Sequence, residues 1–111
     1  MSFVRACAVG EVPVGFAIGV DLGGDADIAV VNTDEGFFAI RDECSHAAVP
    51  LSEGEVDGCT LECYMHGSRF DLRTGRPLEL PAVAPVPVYP VRVDGGNVFI
   101  DPDNPIDIQE Q

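Results

Sequence analysis

The chain has 111 residues, 46% of them hydrophobic, and its 19 acidic side chains against six basic ones give a formal net charge of -13 at pH 7. That length builds one domain with a modest core and leaves no room for a second. So large an acidic excess disfavours nucleic acid and anionic membrane surfaces, and suits either plain solubility or steered encounters with a basic docking patch.

Short apolar runs punctuated by turn residues dominate, and no long stretch follows a helical period, which predicts an all-β chain. Phe3-Val4-Arg5-Ala6-Cys7 opens as a strand in which Cys7 alternates with Phe3 and Arg5. The N-terminus reaches Glu11 and Pro13 without a long apolar run, so no signal peptide or membrane anchor is expected and the chain reads as soluble and cytoplasmic. Residues 12–22 and 28–32 read as strands separated by a turn around Gly23-Gly24-Asp25. Residues 37–41 pair back through Thr33-Asp34-Glu35-Gly36, and Asp57-Gly58 turns a hairpin between Glu55-Val56 and Thr60-Leu61. Residues 69–72 and 88–93 supply further strands. Pro81, Pro85, Pro87 and Pro90 crowd the stretch before Val91 and forbid a regular central strand there. Asp94-Gly95-Gly96-Asn97 then leads into Val98-Phe99-Ile100. The expected architecture is a stack of small antiparallel sheets, with an acidic, proline-bearing stretch after Ile100 that frays.

The chain has two histidines, and each stands close to a cysteine: Cys44-Ser45-His46, then Cys63-Tyr64-Met65-His66. Two thiolates and two imidazoles can make a tetrahedral zinc site, but zinc fingers pair like with like, whereas each loop here mixes one sulfur with one nitrogen. The mixed order suits a Rieske centre, in which two cysteines hold one iron of a [2Fe-2S] unit and two histidines hold the other. Gly67-Ser68-Arg69-Phe70-Asp71 follows His66, and Leu51-Ser52-Glu53-Gly54 lies shortly after His46. With both histidines committed, no two-histidine, one-carboxylate iron site can be built from this chain. Its carboxylates are scattered, and no nucleophile-base arrangement or nucleotide-binding glycine loop is present.

Residues 44–93 resemble the Rieske-type ferredoxins, the small soluble components of bacterial non-haem iron oxygenase systems. The likeness extends to Phe3-Val4-Arg5-Ala6-Cys7, Phe38-Ala39-Ile40 and Arg73-Thr74-Gly75. It implies the Rieske iron-sulfur fold, three stacked sheets with a cluster-binding subdomain, in a domain spanning residues 1–104. The ligand loops are then residues 43–54 and 61–71, and residues 105–111 form an acidic tail. It also implies one [2Fe-2S] cluster held by Cys44, His46, Cys63 and His66, with Gly67, Ser68 and Phe70 around it and the proline-rich stretch as a third loop nearby. Leu51 and Met65 are expected to shield it from water. High-potential respiratory members have a serine two residues after the second histidine, a tyrosine four after it, and a disulfide between the loops. Here Ser68 is kept, Phe70 stands at the tyrosine position, and Val49 and Met65 occupy the disulfide positions, so a low to intermediate potential follows.

The function so implied is a monomeric one-electron carrier, not itself an enzyme, that relays electrons from a flavin-dependent reductase to a terminal oxygenase by transient docking around His46 and His66. Two alternatives stay open: an accessory or redox-sensing subunit of an enzyme complex, and a ferredoxin of iron-sulfur assembly. Cys7 and Cys59 are expected to be packed thiols, with a bridge between them also open.

Overall fold

The computed structural model describes residues 3–23, 27–43, 50–63, 69–78 and 86–106. Among them run strands β1 (Val4–Ala8), β2 (Phe16–Val20), β3 (Ile28–Thr33), β4 (Gly36–Arg41), β5 (Glu55–Asp57), β6 (Thr60–Glu62), β7 (Arg69–Asp71), β8 (Val88–Tyr89), β9 (Val91–Asp94) and β10 (Asn97–Ile100). They form three antiparallel sheets in the orders β1-β10-β9, β2-β3-β4-β8 and β5-β6-β7, with 3₁₀ turns at Val9–Glu11 and Leu51–Glu53. The all-β expectation holds. No helix among the described residues is long and apolar enough to cross a membrane.

The sequence of β3, Ile-Ala-Val-Val-Asn-Thr, explains the arrangement, because every residue in it is buried. Successive side chains on a strand face opposite ways, so a continuous apolar run needs cover on both faces. Ile28 and Val30, with Ala39 of β4, join Cys7, Val12, Val98 and Ile100 in a core shared with the first sheet. Ala29 and Val31, with Ile40 and Val88, join Leu51, Leu61, Phe70 and Leu72 in a core shared with the third. Complete burial of a side chain the size of Phe70 or Ile40 stabilises by about 1.5–3 kcal/mol, so both cores draw their stability through the middle sheet.

Several local expectations are corrected. Residues 12–22 are not one strand: Pro13 and Gly15 turn the chain, Gly15 at φ +92°, and only β2 pairs with β3. The run 88–93 is split by Pro90, which has no N–H to continue a ladder. Before it β8 pairs with β4, and after it β9 pairs with β10 in a different sheet. The alternation of Phe3, Arg5 and Cys7 is broken by a bulge that sets Arg5 opposite Phe99 and Cys7 opposite Val98, leaving Arg5 exposed and Cys7 buried. The stretch after Ile100 does not fray as far as Ile106. The buried Asp101 carboxylate accepts from the Asp103 N–H at 3.2 Å and from Asn104 Nδ2 at 3.0 Å, and the Ile106 N–H donates to the Val88 carbonyl at 2.6 Å. Residues 107–111 and the turn residues Gly24 and Asp25 lie outside the described residues.

The Cys7–Cys59 bridge does not form, since Cys7 belongs to one core while Cys59 packs against the other. Burial pushes both thiols above their ordinary range, aided by Glu11 beside Cys7 and Asp71 beside Cys59, which keeps them protonated and inert. The hairpins follow the turn residues: Asp57 pairs with Thr60 around Gly58 and Cys59, and Asp94 pairs with Asn97 around two glycines.

Asn32 is a buried polar side chain whose Nδ2 donates to the Val12 carbonyl at 2.7 Å, tying the approach to β2 onto β3. Replacing it by alanine leaves that buried carbonyl without its donor, and the expected loss is about 1–3 kcal/mol. Urea unfolding should show a lower midpoint at an unchanged slope. A midpoint equal to that of the unmodified chain would mean water replaces the amide.

Candidate metal centre

The third sheet positions the site. β6 and β7 pair Thr60 with Asp71, Leu61 with Phe70 and Glu62 with Arg69, and residues 63–68 lie between the two strands in sequence. Cys63 stands one residue beyond β6, fully buried in the core that contains Leu51, Leu61, Phe70 and Leu72. Phe70 is likewise fully buried, and Pro77 bridges to it from the far side of β7.

The first cysteine-histidine loop leaves β4 through Arg41-Asp42-Glu43 and returns through Pro50 into the 3₁₀ turn Leu51–Glu53. Its return is held against the second loop by a close approach: a Cβ on Gly54 would overlap the Glu62 carbonyl, which immediately precedes Cys63. Only glycine allows two backbones so near each other. The Gly54 N–H donates to the Leu51 carbonyl at 2.9 Å, closing the turn. Asp42 and Ser52 join the entry and exit of this loop: Asp42 Oδ1 accepts the Ser52 N–H at 2.6 Å and Oδ2 accepts the Ser52 hydroxyl at 2.7 Å.

The described residues flanking the proline-rich stretch, Leu78 and Val86, are each hydrogen-bonded to this part of the fold. The Leu78 N–H donates to the Arg69 carbonyl at 2.7 Å, and the Val86 N–H to the Gly75 carbonyl at 2.8 Å. Residues 79–85, with Pro81 and Pro85, lie outside the described residues.

Of the residues singled out from sequence, Cys63, Phe70 and Leu51 lie in one core. Cys44, His46, His66, Gly67 and Ser68, with Val49 and Met65, lie outside the described residues. Among the described residues no group of three or more His, Cys, Asp and Glu side chains gathers as a metal site. The surroundings of Cys63 fit an iron-sulfur centre: its neighbours are aliphatic and aromatic, and a thiolate in such surroundings needs the positive charge that a bound metal provides. Arg41 approaches Glu43 at 3.5 Å and Arg69 approaches Glu62 at 4.0 Å at the roots of the two loops, but these half-exposed pairs, at long range for an ion pair, add about 0–1 kcal/mol at most. Sequence reasoning missed the Asp42–Ser52 pair and the Gly54–Glu62 approach. In the sequence Ser52 and Gly54 stand out only within Leu-Ser-Glu-Gly, and Asp42 carries no motif signal.

Three antiparallel sheets with one cysteine-histidine segment following β4 of the middle sheet and another following β6 of the third define an iron-sulfur domain of the electron-transfer class. The chain belongs to the Rieske [2Fe-2S] domain family, whose model it matches over residues 2–90. It is 44% identical over 102 residues to the 3-phenylpropionate/cinnamic acid dioxygenase ferredoxin subunit of Escherichia coli strain K12, an alignment covering 91% of this chain and 94% of that one. It superposes on the ferredoxin of carbazole 1,9a-dioxygenase from Nocardioides aromaticivorans IC177 with a TM-score of 0.86 at 34% identity, over 93% of this chain and 100% of that one. A chain in the complex of reduced oxygenase and oxidized ferredoxin of carbazole 1,9a-dioxygenase matches with a TM-score of 0.87 at 32% identity, over 95% and 97% of the two chains. Like those ferredoxin subunits, it is an electron-transfer component rather than an enzyme.

Gly54→Ala should destabilise by about 1–3 kcal/mol, because the new methyl meets a fixed carbonyl rather than a flexible side chain. Gly54 has an ordinary φ of -85°, so the loss is steric. Gly10→Ala, whose Cβ meets nothing within 4 Å, is the matched control and should fall within about 0.5 kcal/mol of the parent in urea unfolding. Equal midpoints for the two variants would mean that the loops do not approach as described.

Proposed function

We propose that this chain is a soluble, cytoplasmic, monomeric one-electron carrier that takes electrons from a flavin-dependent reductase and passes them to the terminal oxygenase of a dioxygenase system acting on an aromatic substrate. Cys44 and Cys63 would hold one iron of a single [2Fe-2S] cluster, and His46 and His66 the other. The observation that carries the reading is the buried Cys63 at the end of β6 with the return of the first loop pressed against its neighbour Glu62. Its ferredoxin relatives support the carrier role, and the compounds for which their dioxygenases are named, 3-phenylpropionate, cinnamic acid and carbazole, support the aromatic class.

The cluster so held supplies reversible one-electron chemistry. The chain's part is to seat Cys63 in a core with Leu51, Leu61 and Phe70, while the imidazoles of His46 and His66 would serve as the short exit for the electron. The docking surface surrounds those rings. With a cluster bound, Ser68 would offer a hydroxyl donor and Gly67 a backbone N–H, while Phe70, which has no hydroxyl, would offer no side-chain donor. The charge of -13 draws the carrier to a basic docking patch, and that attraction is screened as salt rises.

The aerobically purified chain should be red-brown, hold two irons and two acid-labile sulfides, and give a rhombic paramagnetic spectrum when reduced. A colourless protein holding zinc would overturn the ligand assignment. Ser68→Ala should keep the cluster and lower its midpoint potential by about 60 mV, the equivalent for one electron of a hydrogen bond worth about 1.4 kcal/mol. An unchanged potential in voltammetry would make Ser68 a turn residue only. Reduction by a flavin reductase with NAD(P)H, and onward transfer to an oxygenase, should both slow with added salt. A stable complex with a partner and no turnover would instead mark a structural subunit.

A further inference from the structure

The entry to the first ligand loop is fixed twice by backbone hydrogen bonds. The Arg41 N–H donates to the Pro87 carbonyl at 3.0 Å and the Asp42 N–H to the Asp27 carbonyl at 2.9 Å. From that fixed backbone the Asp42 carboxylate extends over β2 at Gly19, where any Cβ would overlap Oδ2 and would lie 3.1 Å from the Ser52 hydroxyl. Gly19 is thus an open place in the strand that the Asp42–Ser52 pair fills. Both carboxylate oxygens are used, one on the Ser52 N–H and one on its hydroxyl, across a span of ten residues. Ser52 in turn lies in the 3₁₀ turn, two residues before the Gly54 that abuts Glu62.

We propose that Asp42 is a positioning residue for the first half of the cluster site: by clamping Ser52 it sets the separation of the loop's two ends and holds Cys44 and His46 in register with Cys63 and His66. The proposal rests on the reading of those four residues as ligands. Two hydrogen bonds to one short side chain on a fixed backbone set orientation as well as distance. A loop whose ends are already joined loses less freedom when its ligands bind, so the clamp acts on the retention and geometry of the cluster and not merely on the stability of the chain. The length of the side chain matters and its charge is secondary. Asparagine at this position can still accept the Ser52 N–H through its carbonyl and donate its amide to the Ser52 hydroxyl oxygen.

The test compares the cluster-loaded parent with Asp42→Ala, Asp42→Asn and Ser52→Ala. The readouts are the rate at which visible absorbance bleaches in an iron chelator and the paramagnetic spectrum of the reduced form, with far-UV circular dichroism as the check on folding. Asp42→Ala should bleach about 10–100-fold faster than the parent, with shifted or broadened g-values. Ser52→Ala, which keeps the backbone bond and loses the hydroxyl bond, should bleach about three- to tenfold faster. Asp42→Asn should restore the parent spectrum and bring the rate within about threefold of it. A folded Asp42→Ala with parental rate and spectrum overturns the proposal, and so does an Asp42→Asn that bleaches as fast as the alanine variant. Should Asp42→Ala fail to accumulate, a parental bleaching rate in Ser52→Ala overturns it alone. A parent that purifies without iron and sulfide fails the ligand assignment itself, whereas an iron-bearing parent with indifferent variants fails only the role of Asp42.

Discussion

Burial of β3 on both of its faces is the constraint on which the rest of the structure depends. Ile28 and Val30 need cover on one side, and Ala29 and Val31 on the other. A single sheet cannot supply both, so the chain folds back twice, once as β1-β10-β9 and once as β5-β6-β7. The third sheet is too short to stand alone: its strands have three residues each, and such ribbons are marginal in water without a packed face. Leu61 and Phe70 find that face against Ile40 and Val31 of the middle sheet. The ends of β4 and β6, from which the two cysteine-histidine segments leave, take their positions from this packing.

Two kinds of interaction then divide the work around the site. Apolar burial places the third sheet, and a few close polar or steric contacts set how the loops meet on it. Gly54 against Glu62 and Asp42 with Ser52 are contacts of the second kind, each possible only because one partner backbone is already fixed. The half-exposed ion pairs at the same roots, Arg41 with Glu43 and Arg69 with Glu62, are weak by comparison, as is the pair joining Arg73 to Glu35. With six basic residues in the whole chain, such pairs cannot balance the acidic surface, which therefore acts at long range on whatever approaches.

The legible part of the molecule was the part enforced by local chemistry. Turn glycines such as Gly58, Gly95 and Gly96 announce their hairpins because few other residues accept those backbone angles. The cysteine-histidine pairs announce a metal because no packing requirement asks for those residues at that spacing. What was not legible depends on partners far away in sequence. Pro90 reads as a residue that weakens a strand, but its actual effect, sending β8 and β9 into different sheets, depends on where β4 and β10 lie. The bulge after Arg5 is a response to β10, and the docking of Ile106 is a response to the open edge of β8. Composition alone made residues 101–106 look loose, because it cannot show that Asp101 is buried and turned back on Asn104. The link from Asp42 to Ser52 was invisible for the same reason: aspartate followed at ten residues by serine means nothing until β2 presents Gly19 beneath them.

An electron carrier gains from such a frame in a way that a binding module does not. Transfer is fast when the ligands hold nearly the same geometry in both oxidation states, since any rearrangement has to be made each time the electron arrives or leaves. Ligands on long unsupported loops would follow the change in charge, whereas ligands on loops joined at their bases resist it, the same logic by which preorganised dipoles spare an enzyme its reorganisation. On the reading proposed above, the buried cysteine side carries the rigidity and the histidine side the contact with partners. The two demands therefore fall on different residues of the same two loops, and a domain of one hundred or so residues can meet both because the loop bases are joined by Gly54 against Glu62 and by Asp42 with Ser52.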